Sequence, residues 1–314
     1  MSTTAAPSEP PYADLTPTVE WQVNGRCNYD CTYCIQSRRT RSGVPDQERV
    51  ERIIDGFAGL PGVWEIKMSG GEPFAFHGLM QWVIPGLVER TPHRIAILTN
   101  FSAPLAVLER FCRWTGDRLG ITSASLHLEH VALEPFLAKA VAYRALRAEH
   151  NPHSSFVVNA VLVPHRVAEQ FEVKAAVEEL GLRYFPQLMK IKGGVYPYNR
   201  KETQLIETLT GGTHDPHAVN RAPSYKGLRC EAGAWYFVVD QRGEAYMCRT
   251  GKRLAIEDDH AYLGNLVRGT FALGRGGICP YPICPCTVPA NRGVVRRPGL
   301  LPRRTPRVEM ADGV

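Results

Sequence analysis

Cys27, Cys31 and Cys34 are spaced C-x3-C-x2-C, with the aromatic Tyr33 just before the last of them. Three thiolates at this spacing hold a four-iron cluster and leave its fourth iron without a protein ligand, open to a small molecule. Zinc sites close four positions, usually with two pairs of Cys or His, and no second pair lies near this triplet. Iron–sulfur chemistry is therefore the first reading. A second signal follows at Met68-Ser69-Gly70-Gly71-Glu72-Pro73. Two glycines let the backbone pass close to a ligand, the Glu72 carboxylate accepts from an ammonium group, and Pro73 stops the preceding strand. The plain reading of the same residues is a turn between strand and helix.

The triplet and the GGEP segment, in this order, resemble the radical S-adenosylmethionine (SAM) superfamily. The resemblance implies that the open iron chelates the amino and carboxylate groups of SAM, while Gly70, Gly71, Glu72 and Pro73 hold its methionine end. One electron then splits SAM into methionine and a 5'-deoxyadenosyl radical, which abstracts hydrogen from an unactivated carbon. It further implies that Tyr33, Asn100, Ser125 and Asn159 stand near SAM, and that an electron donor such as flavodoxin or ferredoxin serves the cluster.

The elements that must position these groups alternate. Thr18 to Val23 reads as a first strand, so the cysteine loop follows its C-terminal end, where active-site loops of β/α barrels sit. Strands are expected at 63–68, 93–99, 119–128, 155–163 and 183–188, and helices at 46–60, 79–89, 105–114, 133–149 and 167–180. Strands alternating with helices imply parallel βαβ units. Six of them fit the partial (β/α)6 barrel of the resembled superfamily. The expected organisation is a disordered leader (1–17), the barrel (18–190), a linker (191–229), an auxiliary iron–sulfur domain (230–286) and a basic flexible tail (287–314).

Five further cysteines, Cys230, Cys248, Cys279, Cys284 and Cys286, gather near the C-terminus around a likely hairpin with Gly243 at its turn. With Leu263-Gly264-Asn265 following, this resembles the twitch or shortened SPASM extension, which implies one auxiliary [4Fe–4S] cluster. A structural zinc site is the alternative. A closed cluster takes four thiolates, so one cysteine is spare: idle, or a hydrogen-atom donor to a substrate radical. The family spacing makes Cys248 a ligand. Local crowding of Cys279, Cys284 and Cys286 with Cys230 frees it instead, and Cys248 is the expected donor. Cys112, alone on an apolar helix face, reads as core.

Composition bounds the partners. The chain of 314 residues is 44% hydrophobic, enough for a sizeable core, and carries a net charge of +6. Four of these six charges come from 287–314, where six arginines face Glu309 and Asp312 among Pro and Gly, a solvated segment rather than a nucleic-acid site. No apolar run approaches a membrane span, the N-terminus lacks a signal-peptide core, and reduced cysteines suit a cytoplasmic protein.

At this size the chain resembles the radical SAM enzymes of aminoglycoside and aminocyclitol antibiotic biosynthesis. That resemblance implies an epimerase acting on an aminoglycoside, as in the conversion of neomycin C to neomycin B, or a dehydrogenase of an aminocyclitol alcohol. Modification of a ribosomal peptide is the third expectation. A polycationic substrate needs carboxylates, for which Glu129, Glu231 and Asp240 are the candidates.

Overall fold

The computed structural model describes residues 10–36, 43–191, 194–254 and 259–296. Six parallel strands follow one another in a single sheet: β1 (Thr18–Asn24), β2 (Glu65–Gly70), β3 (Arg94–Thr99), β4 (Leu119–Leu126), β5 (Ser155–Leu162) and β6 (Arg183–Leu188). Helices α1 (Gln47–Ala58), α2 (Ile84–Arg90), α3 (Leu105–Thr115), α4 (Leu133–His150) and α5 (Glu169–Glu179) join them, giving the expected partial (β/α)6 barrel. No helix among the described residues is long and apolar enough to cross a membrane.

Alternation along β1 sets the two faces. Val19, Trp21 and Val23 turn outward into the helix layer, where the Trp21 ring meets Phe57 of α1 edge-on at 5.3 Å. Glu20 and Gln22 turn the other way, toward Arg249 and Lys252. Asp46 starts α1 by accepting the Arg49 N–H at 2.9 Å, an ordinary side-chain cap. The helix expected from 79 begins instead as a π-helical turn, Leu79–Val83, before α2. Pro85 has no N–H for the preceding turn, so regular α-helix does not run through it.

The stretch expected as a linker is built. It holds the short pair β7 (Lys190–Ile191) and β8 (Gly194–Val195), then α6 (Arg200–Thr210). A reciprocal capping box between Asn199 and Glu202 starts α6, and Gly211 in the left-handed region ends it. After β9 (Arg229–Cys230), the expected hairpin is β10 (Tyr236–Val239) and β11 (Glu244–Tyr246), followed by α7 (Arg249–Leu254), β12 (Tyr262–Asn265), β13 (Gly277–Ile278) and α8 (Val288–Asn291). Strand β10 pairs in parallel with β1 from Thr18↔Tyr236 to Trp21↔Val239, so the cysteine-rich region continues the barrel sheet instead of standing apart.

Residues 287–296, expected in the flexible tail, are held in place; 297–314 lie outside the described residues. Arg292 donates to both carboxylate oxygens of Glu65, with contacts of 2.7 and 3.0 Å, at the start of β2. Arg296 pairs with Asp14 and lies 3.7 Å over the Tyr12 ring. Of the expected leader, 10–17 is described: Leu15 is buried, and Thr16 donates its N–H to the Arg292 carbonyl. The two ends of the described chain thus lock together under β1 and β2. Replacing Arg292 by Ala leaves Glu65 buried without its partner, and a loss of roughly 2–3 kcal/mol is expected from a charge-assisted pair of this kind. A urea unfolding curve displaced to a lower midpoint checks it.

Candidate active site

The ends of β1, β2 and β3 converge on one spot. Gly71 N–H donates to the Asn24 carbonyl at 3.0 Å and Glu72 N–H to the Arg26 carbonyl at 2.8 Å, so the GGEP turn is pressed against the start of the cysteine loop. A Cβ on Gly71 would collide with the Arg26 carbonyl, and Gly70 sits at φ +145°. Only glycine meets both demands. Asn24, a residue the sequence reading passed over, closes the contact: its buried amide donates to the Arg26 and Glu72 carbonyls at 2.9 and 3.1 Å.

Glu72 is 1% exposed and already accepts from Phe74 N–H at 3.0 Å, Thr99 Oγ1 at 2.7 Å and Asn100 N–H at 2.5 Å. Burial outweighs these donors and pushes its carboxyl up to about 7. Pro73 follows at the first position of a short 3-10 turn that Glu72 caps. The Asn100 amide turns to the cysteine loop, donating to Asn28 Oδ1 at 2.9 Å, while Asn28 donates to Ser102 Oγ at 3.0 Å.

The far side of the loop is held by the turn after β4. Glu129 accepts from Thr32 at both its N–H (2.9 Å) and its hydroxyl (2.5 Å). His127 Nδ1 lies 2.8 Å from Tyr33 Oη and 3.5 Å from Cys31 Sγ, and His130 stacks on Tyr29 at 4.4 Å. Burial, then the neighbouring Cys34 and Cys27 thiols, push the Cys31 thiol up to about 11. Across the barrel, Asn159 accepts from Ser125 Oγ at 2.9 Å and Gln187 Nε2 at 2.8 Å and donates to Ser123 Oγ at 2.9 Å. This network lines β4 to β6 with neutral hydroxyl and amide groups; Gln187 was not among the expected residues.

The five C-terminal cysteines line one cavity of about 610 Å³, counted with the part open to solvent. Cys230 and Cys248 are pushed up, to about 11 and about 12, by burial. Backbone N–H groups oppose this: Ala232 donates to Cys230, and Gly251 donates to Cys248 Sγ at 3.2 Å. The Cys284 thiol hydrogen-bonds Cys286 and lowers it, a contribution that lasts only while Cys284 keeps its proton. Cys286 also meets the Tyr236 hydroxyl at 3.6 Å, and Tyr236 in turn donates to Glu20 at 3.0 Å.

Glu20, 2% exposed, pairs with Arg249. Burial disfavours its charge, but Arg249 and Lys67 more than offset this and hold it below the usual carboxylate range. Lys252, facing Gln22, is pushed down to about 8 by burial, as is Lys190 just past β6. None of these ionic residues was among the expected site residues. The signal was available: polar residues at every second position of β1 mark its inner face.

The three expected carboxylates do not converge. Glu129 clamps the cysteine loop; Glu231 is 3% exposed and bound by Arg229 at 2.7 Å; Asp240 caps the hairpin turn and pairs with Arg242 at 3.1 Å and Lys252 at 3.7 Å.

Residues 21–173 match the Radical SAM superfamily profile. Over 114 residues the chain is 32% identical to a GTP 3',8-cyclase of Ectopseudomonas mendocina, which covers 35% of this chain and 34% of that protein. A GTP 3',8-cyclase of Paenarthrobacter nicotinovorans is 27% identical over 128 residues, 38% of this chain and 36% of the relative. The chain thus spans about a third of the length of these curated relatives. Among solved structures, anSMEcpe with bound AdoMet superposes with a TM-score of 0.55 at 16% identity, over 80% of this chain and 75% of that one. SuiB of Streptococcus suis gives 0.54 at 14%, over 81% and 64%. These two share the fold. Residues 21–173, just under half of the chain, are thus similar to that superfamily, whose members use a [4Fe–4S] cluster and SAM.

The donor set fits a cluster. Among the described residues, the single triplet of candidate ligand atoms within 4.8 Å of one another is Cys31, Glu129 and His130, and Glu129 is spent on Thr32. Three thiols on one loop and five around one cavity are the soft sulfur donors that an iron–sulfur cluster takes. With its carboxyl raised to about 7, Glu72 is protonated below that pH, and a neutral carboxyl attracts an ammonium group less than a carboxylate does. SAM affinity is expected to fall as pH drops through 7 and to become flat with pH in Glu72→Gln, at a weaker level; calorimetric titration of SAM across this range checks both.

Proposed function

We propose that this chain is a radical SAM epimerase that inverts a sugar carbon of an aminoglycoside antibiotic, the neomycin C to neomycin B type of conversion. The observation that carries this reading is the thiol count at one cavity: five cysteines line it, one more than a closed four-iron cluster takes. Loaded with its cluster and SAM, the radical SAM domain supplies the radical that abstracts a hydrogen atom from carbon. The chain's own residues do the rest. Glu72 holds the ammonium group of SAM, and Asn24 with Glu129 keeps the cysteine loop in register with it. A thiol S–H bond is weaker than a typical C–H bond, so a carbon radical takes its hydrogen from cysteine. Delivery from the face opposite the abstraction leaves the carbon inverted.

The hydroxyl and amide lining from Ser123, Ser125, Asn159 and Gln187 suits a polyhydroxylated ring, whose recognition rests on many neutral hydrogen bonds. A second reading has its own support. Lys67, Arg249 and Lys252 reach Glu20 and Gln22, with Lys190 near Arg249, and Glu20 and Asp240 answer only part of this positive charge, which favours an anionic substrate; the curated relatives are named GTP 3',8-cyclases. If the fifth thiol is idle, an alcohol dehydrogenase is the remaining alternative.

Anaerobic turnover of the reduced enzyme with SAM and neomycin C in deuterium oxide separates these. The epimerase yields a product with one non-exchangeable deuterium and unchanged composition, together with 5'-deoxyadenosine. A product lighter by two hydrogens means dehydrogenation. Tight binding of GTP with no turnover of neomycin C overturns the sugar reading in favour of the anionic one.

A further inference from the structure

The turn after β4 does more than brace the cysteine loop. Leu126 ends the strand, and the carbonyl of the next residue, His127, accepts from the N–H groups of His130 at 2.9 Å and Val131 at 3.1 Å, which fixes the backbone there. The imidazole is fixed as well. The Tyr29 ring meets it edge-on at 5.9 Å, and the Tyr33 ring lies nearly parallel to it at 5.9 Å, with 18° between the planes. Held in this way, one ring nitrogen serves two loop residues: Nδ1 lies 2.8 Å from Tyr33 Oη and 3.5 Å from Cys31 Sγ. Glu129, on the same turn, grips Thr32 between them, so the turn is pinned against residues 31 to 33 in register.

The sulfurs of the triplet therefore differ in what faces them. Cys27 Sγ accepts from the Tyr29 backbone N–H at 3.4 Å, a donor that any residue but proline supplies at that position. Cys31 Sγ is met by a side chain 96 residues away in the sequence, a contact that depends on residue type. Nδ1 of a neutral imidazole carries either a proton or a lone pair. A metal-bound thiolate repels the lone pair and attracts the N–H. The Tyr33 hydroxyl rotates and accepts from the same N–H without conflict. With Cys31 as a thiolate the Nδ1–H tautomer is thus favoured, its proton shared between Cys31 Sγ and Tyr33 Oη. Hydrogen bonds to cluster sulfurs help to set an iron–sulfur reduction potential, because an added electron makes the sulfurs more negative and a facing donor stabilises that form more than the oxidised one.

We propose that His127 is a positioning residue that acts through Cys31: it donates its Nδ1–H to the Cys31 thiolate and raises the reduction potential of the cluster held by Cys27, Cys31 and Cys34. The inference rests on the reading that this triplet holds a four-iron cluster and is independent of which substrate is turned over. It gives the turn after β4 a part in electron supply, since a cluster of higher potential is reduced more readily by a protein donor of the flavodoxin or ferredoxin type. One electron passes from that donor, which is oxidised, to the cluster, which is reduced; no bond breaks, and His127 keeps its proton throughout.

The test is a redox titration of the full-length, iron-loaded chain followed by electron paramagnetic resonance. The triplet's cluster is recognised as the signal that changes shape on adding SAM and is missing from Cys31→Ala. His127→Phe keeps a flat ring and removes the donor; reduction is expected to become about tenfold less favourable, a midpoint lower by about 59 mV for one electron. His127→Asn, whose amide nitrogen stands near the place of Nδ1, is expected to recover most of that shift. Tyr33→Phe removes the competing acceptor and is expected to leave the midpoint unchanged or raise it. In wild-type chain carrying nitrogen-15 histidine, pulsed measurement of the SAM-responsive signal is expected to show a coupled histidine nitrogen. A midpoint in His127→Phe equal to that of the wild type overturns the proposal. So does a fall that His127→Asn does not recover and Tyr33→Phe reproduces, which makes the tyrosine the donor. A wild-type signal with no coupled histidine nitrogen overturns it whatever the variants do, so the test survives a variant that fails to fold. An iron-loaded wild-type chain with no SAM-responsive signal overturns the cluster reading itself, and the proposal with it.

Discussion

The buried carboxylate of Glu20 is the point on which the two halves of this protein depend. It sits in the middle of β1 at 2% exposure, and a lone carboxylate there would cost several kcal/mol. It is stable because Arg249 and the Tyr236 hydroxyl, both from the cysteine-rich region, reach across to it. The same pairing fixes the start of α7, and with it Cys248, and it fixes the ring beside Cys286. Docking of the auxiliary region on the barrel and placement of its thiols are thus one electrostatic event. The parallel pairing of β10 with β1 carries that event into the backbone.

A second constraint acts at the top of β1 and β2. Close approach of Gly71 to the Arg26 carbonyl brings the buried carboxylate of Glu72 against the cysteine loop, and Asn24 satisfies the carbonyls that this crowding buries. The loop is then pinned from both flanks, by Asn100 and Ser102 on one side and by Glu129 and His127 on the other. Three thiols on an otherwise irregular loop would be too mobile to form a site. Side chains from two other strand ends make it one, which is the kind of outer support that metal ligands need.

Much of this was legible in the sequence because it is local. The C-x3-C-x2-C triplet, the GGEP turn, the alternation of strands with helices and the hairpin around Gly243 each reside in a few neighbouring residues. The structure keeps them nearly where periodicity sets them, as in β3 at Arg94–Thr99 and α3 at Leu105–Thr115. The misplaced segments have local physical causes as well. Pro85 interrupts a helix that hydropathy alone would run through. The Asn199–Glu202 capping box marks α6 within a stretch whose glycines suggest only a linker. Residues 287–296 look solvated by composition, yet Arg292 and Arg296 have acidic partners more than two hundred residues away.

By itself the sequence determined the chemistry: thiol number and spacing, a glycine-lined carboxylate, and six βα units to carry them, since these follow from residue type and short-range periodicity. Only the tertiary structure decided how the charges fall. Glu129, Glu231 and Asp240 are equally acidic on paper, yet Glu129 and Glu231 are spent on separate structural tasks and Asp240 on the hairpin turn and Lys252, while Glu20, Lys67 and Arg249 from distant segments meet on the inner face of the sheet. It also decided that five cysteines share one cavity with unlike neighbours, because whether a thiol faces its fellows or the barrel depends on strand pairing across the whole chain.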